Sequence, residues 1–469
     1  ISAMATTPID LRDSEAQPYH GRRPSTRVEP APIRWLRRWG FRWLHLVDAV
    51  FLYTAMIGIT LARFGTDWPT YPRNHYFVGF AIATGIHLIV LYFGGAYDRE
   101  LRLGLRPWLP RIAKLTFLAV LLDAAAALLT ERYLMPRGNL VILLVVATLG
   151  LTANRWVSRR MRARRYGPAR ALLVGTPDDL GLARQHLSEA DQSAIVVGER
   201  PNAHDLSAAV DATDASDVLL LGHRMVDDIY PEPLGLLEER TIGVLQRVGP
   251  QEALLGLQAV RQIGGVPFVP LRTHALPPSR TRFKRACEIV ILLVTAPIWI
   301  PLLLLTALYV RIAAGKGIIF RQDRVGQGGV PFRMMKFRTM RVPEPGEQTD
   351  GELAGADHPR IIPSCRWLRT TRLDELPQLW HVVRGTMSLV GPRPEVPDLT
   401  TQFEQLVPGY GRRHEIPPGL TGLAQVQGRY HTDPSYKLGH DIQYLVNWSP
   451  VLDLESLALT AWVILTRRV

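Results

Sequence analysis

Four apolar stretches, at 44–62, 76–97, 112–129 and 140–156, follow one another in the first third of the chain. Each is close to the ~20 residues that a membrane-spanning helix requires. Asp48, Lys114 and Asp123 interrupt them, and isolated charges of this kind predict contacts within a helical bundle rather than positions facing lipid. Burial inside a soluble domain is the competing reading, but four consecutive stretches of spanning length are hard to bury otherwise. Arginines orient them. Arg22, Arg23, Arg34, Arg37, Arg38 and Arg42 precede the first stretch, Arg99, Arg102, Arg106 and Arg111 lie between the second and third, and Arg155, Arg159, Arg160, Arg162, Arg164 and Arg165 close the fourth. The other two loops are poorer in arginine, so both ends of the unit are expected in the cytoplasm. Residues 34–160 thus read as a four-helix transmembrane bundle. Residues 1–33, rich in Pro, Arg and polar side chains, read as a disordered tail, with Ile1-Ser2-Ala3 as additions ahead of a native start at Met4.

From Arg170 the pattern changes to short buried strands alternating with helical segments. Strands are predicted at 170–175, 194–197, 217–221 and 241–248. That alternation over 168–250 suggests a small parallel sheet of Rossmann type. Its first turn, Gly175-Thr176-Pro177-Asp178-Asp179-Leu180-Gly181, is not the glycine fingerprint of dinucleotide sites. Pro177 removes an amide donor, and Asp178 with Asp179 would repel phosphate. A packing, oligomerising or regulatory role is therefore expected of a degenerate Rossmann-like domain, including a homodimer contact. Residues 251–278 read as a linker.

A fifth apolar run, 289–310, carries no charge. Basic residues flank it on both sides (Arg282, Lys284 and Arg285; Arg311, Lys316, Arg321 and Arg324), so both flanks look cytoplasmic. Pro297 and Pro301 each delete a backbone donor and clash with the preceding turn. The expected element is a re-entrant hairpin at about 283–311, broken at these two prolines, with a kinked spanning helix as the alternative.

The chain of 469 residues carries 55 Lys and Arg against 42 Asp and Glu, a net charge of +13. Such an excess needs an anionic partner. With so many arginines beside apolar stretches, that partner is the phospholipid membrane and not a nucleic acid. The two cysteines, Cys287 and Cys365, exclude a disulfide framework or a Cys-rich zinc site.

The chemistry concentrates at Thr370-Thr371-Arg372-Leu373-Asp374-Glu375-Leu376-Pro377-Gln378-Leu379-Trp380. Pro377 belongs in a first helical turn, so a helix should begin near Asp374 or Glu375, with Leu376, Leu379, Trp380 and Val383 on one face and Gly385 as its stop. The helix dipole would then favour ionised Asp374 and Glu375, a pair able to attack phosphorus or to hold Mg²⁺. The plain alternative is an acidic cap. Against it stand Lys336-Phe337-Arg338-Thr339-Met340, then Arg366, Arg369 and Arg372, Gly391-Pro392-Arg393-Pro394-Glu395, Pro418-Gly419-Leu420-Thr421-Gly422 and Gln425-Val426-Gln427-Gly428-Arg429. Cations in rigid turns beside carboxylates suit a substrate with several phosphates.

Together with Phe283-Lys284-Arg285, Met387-Ser388-Leu389-Val390, Asn447-Trp448-Ser449 and Leu452-Asp453-Leu454, these motifs make residues 282–469 resemble the bacterial sugar transferase family of monotopic phosphoglycosyl transferases. The whole chain is similar to the large members that start exopolysaccharide, capsule or O-antigen synthesis. The resemblance implies a membrane α plus α/β architecture at the bacterial inner membrane, with a cytoplasmic catalytic domain over 279–469 ending in an interfacial helix. It implies transfer of hexose 1-phosphate from a UDP-sugar to undecaprenyl phosphate with release of UMP, glucose being the first expectation and galactose the second. Downstream glycosyltransferases would take the product.

By the same resemblance Asp374 is the nucleophile that forms a covalent phosphosugar intermediate, and Glu375 is its partner in Mg²⁺ binding and acceptor activation. Lys336, Arg338 and Arg393 are expected to bind phosphate, with Arg369, Arg372, Gln425 and Arg429 as further substrate contacts. The sequence departs from the family at Ala296, His381 and Thr386, where Ser, Asn and an acidic residue are usual. His381 is expected to make a local packing or polar contact. A membrane-bound nucleotide-sugar epimerase or dehydratase would need an intact glycine fingerprint and a Tyr-x-x-x-Lys pair, and the chain has neither. A non-catalytic scaffold for polysaccharide assembly would not need the carboxylates among the arginines.

Overall fold

The structure, a computed structural model, describes residues 43–466 except 68–72, 99, 101, 104–106, 130–134, 190–193, 223–224, 230–231, 241, 250–259, 264, 272–275, 342–357, 408 and 428–432. The expected tail at 1–33 lies outside the described residues. The described parts of 1–84 with 124–168 form one compact unit, and those of 85–123 with 169–469 form another.

Among the described residues five helices are long and apolar enough to cross a membrane. Four match the predicted stretches: α1 Trp43–Phe64, α2 Arg73–Phe93, α3 Leu109–Leu129 and α4 Arg137–Tyr166. Pro136 stands just ahead of α4, and Gly167 at φ 70° ends it. In the first unit, Asp48 near the start of α1 pairs at 2.6 Å with Arg155 near the end of α4. At the opposite ends, Asn139 donates to Thr60 and accepts from Arg63. The two helices therefore run antiparallel. In the second unit, His87 of α2 and Asp123 of α3 lie 3.3 Å apart, both fully buried. Two of the three interrupting charges thus have partners between helices. Lys114 has none among the described residues: it is exposed six positions into α3, where its stem can carry the ammonium toward water.

The α/β sheet has strands β1 Ala169–Val174, β2 Ala194–Arg200, β3 Asp217–Leu220 and β4 Gly243–Arg247, all parallel, in spatial order β2-β1-β3-β4. Alternating strand residues feed two cores. Leu172, Val174, Val218 and Leu220 meet α6 (Leu206–Thr213) on one face. Ala171, Leu173 and Leu219 meet α5 (Pro177–Glu189) on the other. The predicted linker at 251–278 needs correcting. It contains β5 Arg261–Ile263 and β6 Val266–Leu271, which pair antiparallel with each other and with β4 and make the sheet six-stranded and mixed. Ile263 and Phe268 are buried in the sheet core, and Gly265 at φ 76° turns the hairpin between the strands.

The last region opens with α7 Pro278–Ala313, one helix holding both Pro297 and Pro301. Its first arm packs Leu292 against Leu379, Val382, Tyr444 and Trp448. Its second arm packs Val310 against Phe337, Cys365 and Leu368. Leu376 packs against both clusters. The middle is apolar and exposed, with Val294 at 73% and Ile298 at 72%. There follow a hairpin of β7 Ile319–Val325 and β8 Pro331–Phe337, a helix α8 Gln378–Arg384, and the parallel pair β9 Ser388–Val390 and β10 Gly419–Thr421. Helices α9 Pro434–Asn447 and α10 Pro450–Thr466 close the chain.

A buried polar network joins these pieces. Lys284 Nζ is 3.0 Å from both Glu288 and Asp453. Asp453 accepts from Tyr444 at 2.6 Å and from Trp448 at 3.1 Å. Glu288 accepts from Ser388 Oγ and from the Leu389 amide. Buried charges persist only when paired and hydrogen-bonded, and this one network uses four of the motifs that carry the family resemblance.

Candidate active site

Asp374 and Glu375 lie in a single 3₁₀ turn, Leu373–Glu375, with Leu376 and Pro377 leading in helical conformation into α8. The helix proper therefore starts later than the sequence predicts, and Gly385 at φ 84° ends it as expected. Its inward face also differs. Leu379 and Val382 are buried, whereas Trp380 and Val383 are exposed. Arg372, just before the turn, holds the left-handed conformation at φ 58°, a sparsely populated state for a residue with a side chain.

Three cations converge on one oxygen. Glu375 Oε1 lies 3.2 Å from Lys336 Nζ, 3.4 Å from Arg393 Nη2 and 3.7 Å from Arg372 Nη1. Lys336 reaches it from β8, on the strand face shared with buried Met334. Burial alone would raise the Glu375 carboxyl. Lys336, Arg393 and Arg372 outweigh that and hold it well below the usual carboxylate range. Asp374 goes the other way. Burial first, and the Glu375 charge second, push it up to about 6, against the pull of Lys336, Arg369 and Arg372. From the sequence both carboxylates are expected as ions by the helix dipole; the structure instead favours ionised Glu375 through three nearby cations and disfavours ionised Asp374 through burial. Oδ1 of Asp374 is buried and takes no hydrogen bond from any described residue.

The other predicted residues are dispersed. Arg369 acts on Asp374 through its charge and contacts Met340 Sδ at 3.5 Å. Arg338 donates to the carbonyl of Ala314 at the end of α7 and so caps that helix, away from the dyad. Gln425 sits in the short helix Leu423–Gln427 after β10, its Oε1 beside Gly422. Arg429 lies outside the described residues. The Gly391–Glu395 and Pro418–Gly422 motifs touch backbone to backbone. A Cβ on Gly419 would come within 2.2 Å of the Gly391 nitrogen, and one on Gly422 within 2.2 Å of the Gly391 oxygen. His381 contacts Thr386 Oγ1 at 3.0 Å and the ring of Phe332, a local contact as expected.

Among the described residues no three His, Cys, Asp or Glu side chains converge on a point that could hold a metal. The dyad supplies two carboxylates, one with an unengaged oxygen. That donor set fits a Mg²⁺ whose remaining ligands are substrate phosphates and water.

The family model for bacterial sugar transferases matches residues 279–467, the region that holds this site. A "UDP-glucose:undecaprenyl-phosphate glucose-1-phosphate transferase" of Caulobacter vibrioides is 34% identical over 259 residues, which are 54% of this chain and 90% of that protein. The chain belongs to the bacterial sugar transferase family. An Escherichia coli protein of the same name is 37% identical over 208 residues, 43% of this chain and 44% of its own length. A "UDP-N-acetylgalactosamine-undecaprenyl-phosphate N-acetylgalactosaminephosphotransferase" of Aeromonas hydrophila is also 37% identical, over 192 residues, 40% of this chain and 45% of its own length. The aligned parts thus cover less than half of these two family members.

Residues missed in the sequence are those that support the site from below. Arg413 is buried in a cluster with Tyr410, Glu395 and Asp441. Nothing in the run Arg412-Arg413-His414 separates a buried arginine from its surface neighbours.

Proposed function

We propose that this protein transfers hexose 1-phosphate from a UDP-sugar to undecaprenyl phosphate, releasing UMP and starting a surface or secreted polysaccharide. The observation that carries this reading is the contrast within the dyad. Three cations gather on Glu375, and beside it a second buried carboxylate keeps an oxygen unengaged. Asp374, once ionised, attacks the sugar-proximal phosphorus. The bond from that phosphorus to the bridging oxygen breaks, UMP leaves, and a phosphosugar ester remains on Asp374. An oxygen of undecaprenyl phosphate then attacks the same phosphorus and frees the carboxylate. Lys336, Arg393 and Arg372 neutralise the phosphates, and Glu375 receives the acceptor's proton. Asp374 and Glu375 would hold Mg²⁺, which would offset charge on the phosphates. Glucose is the first candidate sugar and galactose the second, on the names of the glucose transferases. The Aeromonas likeness makes an N-acetylated sugar the comparison to include.

The fold supports a site on the cytoplasmic face. Leu103, in the loop between α2 and α3, belongs to the core of the α/β sheet. In the same loop Asp98 pairs with Arg282 at 3.2 Å, beside the start of α7. That loop therefore shares a side of the membrane with the α/β and catalytic parts, and α3 and α4 would leave that side and return to it. For α7 the re-entrant reading is supported by its two halves, which contribute Leu292 and Val310 to two apolar clusters that both pack against Leu376, the residue after the dyad. A straight helix of its length would run about 54 Å. Exposed Trp380 and Trp462 suit the headgroup level, where a soluble donor meets a lipid acceptor.

The test is intact-protein mass spectrometry after brief mixing with Mg²⁺ and single UDP-sugars without acceptor, on the wild type and Asp374→Asn. A hexose-phosphate increment with one sugar, absent in the variant, is the expected result. An increment that persists in the variant would overturn the role of Asp374. The absence both of an adduct and of UMP release on adding undecaprenyl phosphate would overturn the transfer reaction.

A further inference from the structure

The loop Gly391-Pro392-Arg393-Pro394-Glu395 places one of the three cations on Glu375, yet it has little regular structure of its own. Its hold comes from its carbonyls. Four in succession accept a hydrogen bond, each from a different donor. Pro392 accepts from the Gly419 amide at 2.8 Å, Arg393 from Arg413 Nη2 at 3.0 Å, Pro394 from Arg324 Nη1 at 3.1 Å, and Glu395 from the Val325 amide at 2.9 Å. Two of these four donors are guanidinium groups, at 2% and 5% exposure among the most buried arginines described.

Burying a guanidinium is costly, and an apolar side chain of similar volume often packs at least as well. Arg413 needs Asp441 at 2.9 Å and Glu395 at 3.6 Å to be tolerated at all. What it adds over an apolar residue is a directed donor. The peptide plane ahead of the Arg393 Cα is pinned through the Pro392 carbonyl, and the plane after it through the Arg393 carbonyl. With both planes fixed, the direction of the Arg393 Cα–Cβ bond is fixed. Prolines on either side restrict the neighbouring φ angles further.

Resting on the transfer reaction proposed above, we infer that Arg413, seconded by Arg324, is a positioning residue that aims Arg393 at Glu375 Oε1, where the phosphate-binding cations gather. It touches no substrate. Its contribution to turnover passes entirely through Arg393, and that dependence can be measured. A misplacement on the order of 1 Å costs about 100-fold in rate, so Arg413→Met should lower kcat/KM for the UDP-sugar by about 10- to 100-fold, chiefly in kcat.

The experiment is a double-mutant cycle on the full chain in lipid nanodiscs, with Arg413→Met, Arg393→Ala and the double variant assayed by UMP release. In parallel, hydrogen exchange is followed at the Arg393 and Glu395 amides. The expected result is a large effect of Arg413→Met in the wild-type background, less than about a twofold effect in the Arg393→Ala background, and faster exchange at the two amides. Arg413→Lys, which keeps one donor, should recover part of the loss. Equal fold-losses in both backgrounds would make Arg413 a general support of the fold and overturn the inference, as would unchanged exchange at the loop. Should Arg413→Met fail to accumulate as folded protein, Arg324→Met enters the same cycle through the next peptide plane, with the same expected and overturning results. If the wild type releases no UMP with any donor, the transfer reaction fails. The exchange measurement still decides whether Arg413 holds the loop.

Discussion

Asp374→Asn should make the protein more stable while removing its activity, and the gain should depend on pH in a way fixed by the site. Burial and the neighbouring Glu375 charge raise the Asp374 carboxyl from 3.8 to about 6. An acid whose pKa is higher in the folded than in the unfolded chain is costly to keep ionised in the fold. The cost is complete above the folded value, declines between about 6 and 4, and vanishes below the unfolded value. A shift of about two units corresponds to roughly 3 kcal/mol. Asparagine keeps the shape and discards that cost, but it also loses the attraction of Lys336, Arg369 and Arg372, so an expected gain of about 1–3 kcal/mol at pH 8 is the fair range. The assay is unfolding of the wild type and variant in matched nanodiscs, with chelator and without sugar nucleotide, since a bound cation would itself favour the ionised form. The variant's advantage should be largest at pH 8 and shrink toward zero by pH 4. The same ionisation should give adduct formation an acid limb, displaced below pH 6 by the Mg²⁺ that assay contains. A variant less stable than the wild type at pH 8, or an advantage independent of pH, would refute the assignment of a burial-raised carboxyl.

Lys336→Met removes the cation nearest to Glu375, so its carboxyl should rise toward the ordinary range and UMP release should fall by about 100-fold or more. Lys284→Met leaves Glu288 and Asp453 buried without their shared ammonium; breaking such a buried arrangement costs about 3–5 kcal/mol, seen as a lower unfolding temperature. If α7 returns to its own side, cysteines at Asn202 and Lys316, in a background with Cys287 and Cys365 replaced by serine, should be labelled from the same face of sealed vesicles. Labelling from opposite faces would mean that α7 crosses.

How much of this was legible in the sequence follows from what each signal depends on. Apolar length depends on local composition, and α1 to α4 fall close to where it puts them. The parallel strands were legible because strands buried on both faces read as short apolar runs. The hairpin Arg261–Ile263 and Val266–Leu271 was not, since strands of three and six residues, the second carrying two prolines, look like linker until a sheet edge is there to receive them. At the site, the family resemblance pointed to Asp374, Glu375, Lys336 and Arg393, and the structure brings these four together. Arg338 lies only two positions from Lys336, yet it turns to the end of α7 because the strand stops between them at Phe337. Charge state was the least legible property. Two adjacent carboxylates have the same neighbours in sequence and opposite electrostatics in space.

That opposition has a consequence for order of binding. Glu375 Oε1 already occupies the three donors that a diphosphate would need. Those contacts, at 3.2–3.7 Å, are longer than the 2.7–2.9 Å of a tight charge-assisted hydrogen bond. A sugar nucleotide entering the site would draw on the same lysine and arginines and loosen their hold on Glu375. Its carboxyl would then rise from its depressed value, and a weaker acid is a stronger base. Asp374 would rise with it, since the anionic diphosphate adds charge of its own sign and draws on Lys336 and Arg372, which oppose its rise. Of the three cations only Arg372 adjoins the turn in sequence, standing immediately before Leu373 in a left-handed backbone conformation. Replacing Arg372 with glycine would relieve the backbone conformation while deleting the charge, and replacing it with lysine would keep the charge and the strain. If the charge is what matters, the lysine variant should retain most of the adduct formation and the glycine variant little. The opposite ranking would place the importance of Arg372 in the shape of the turn.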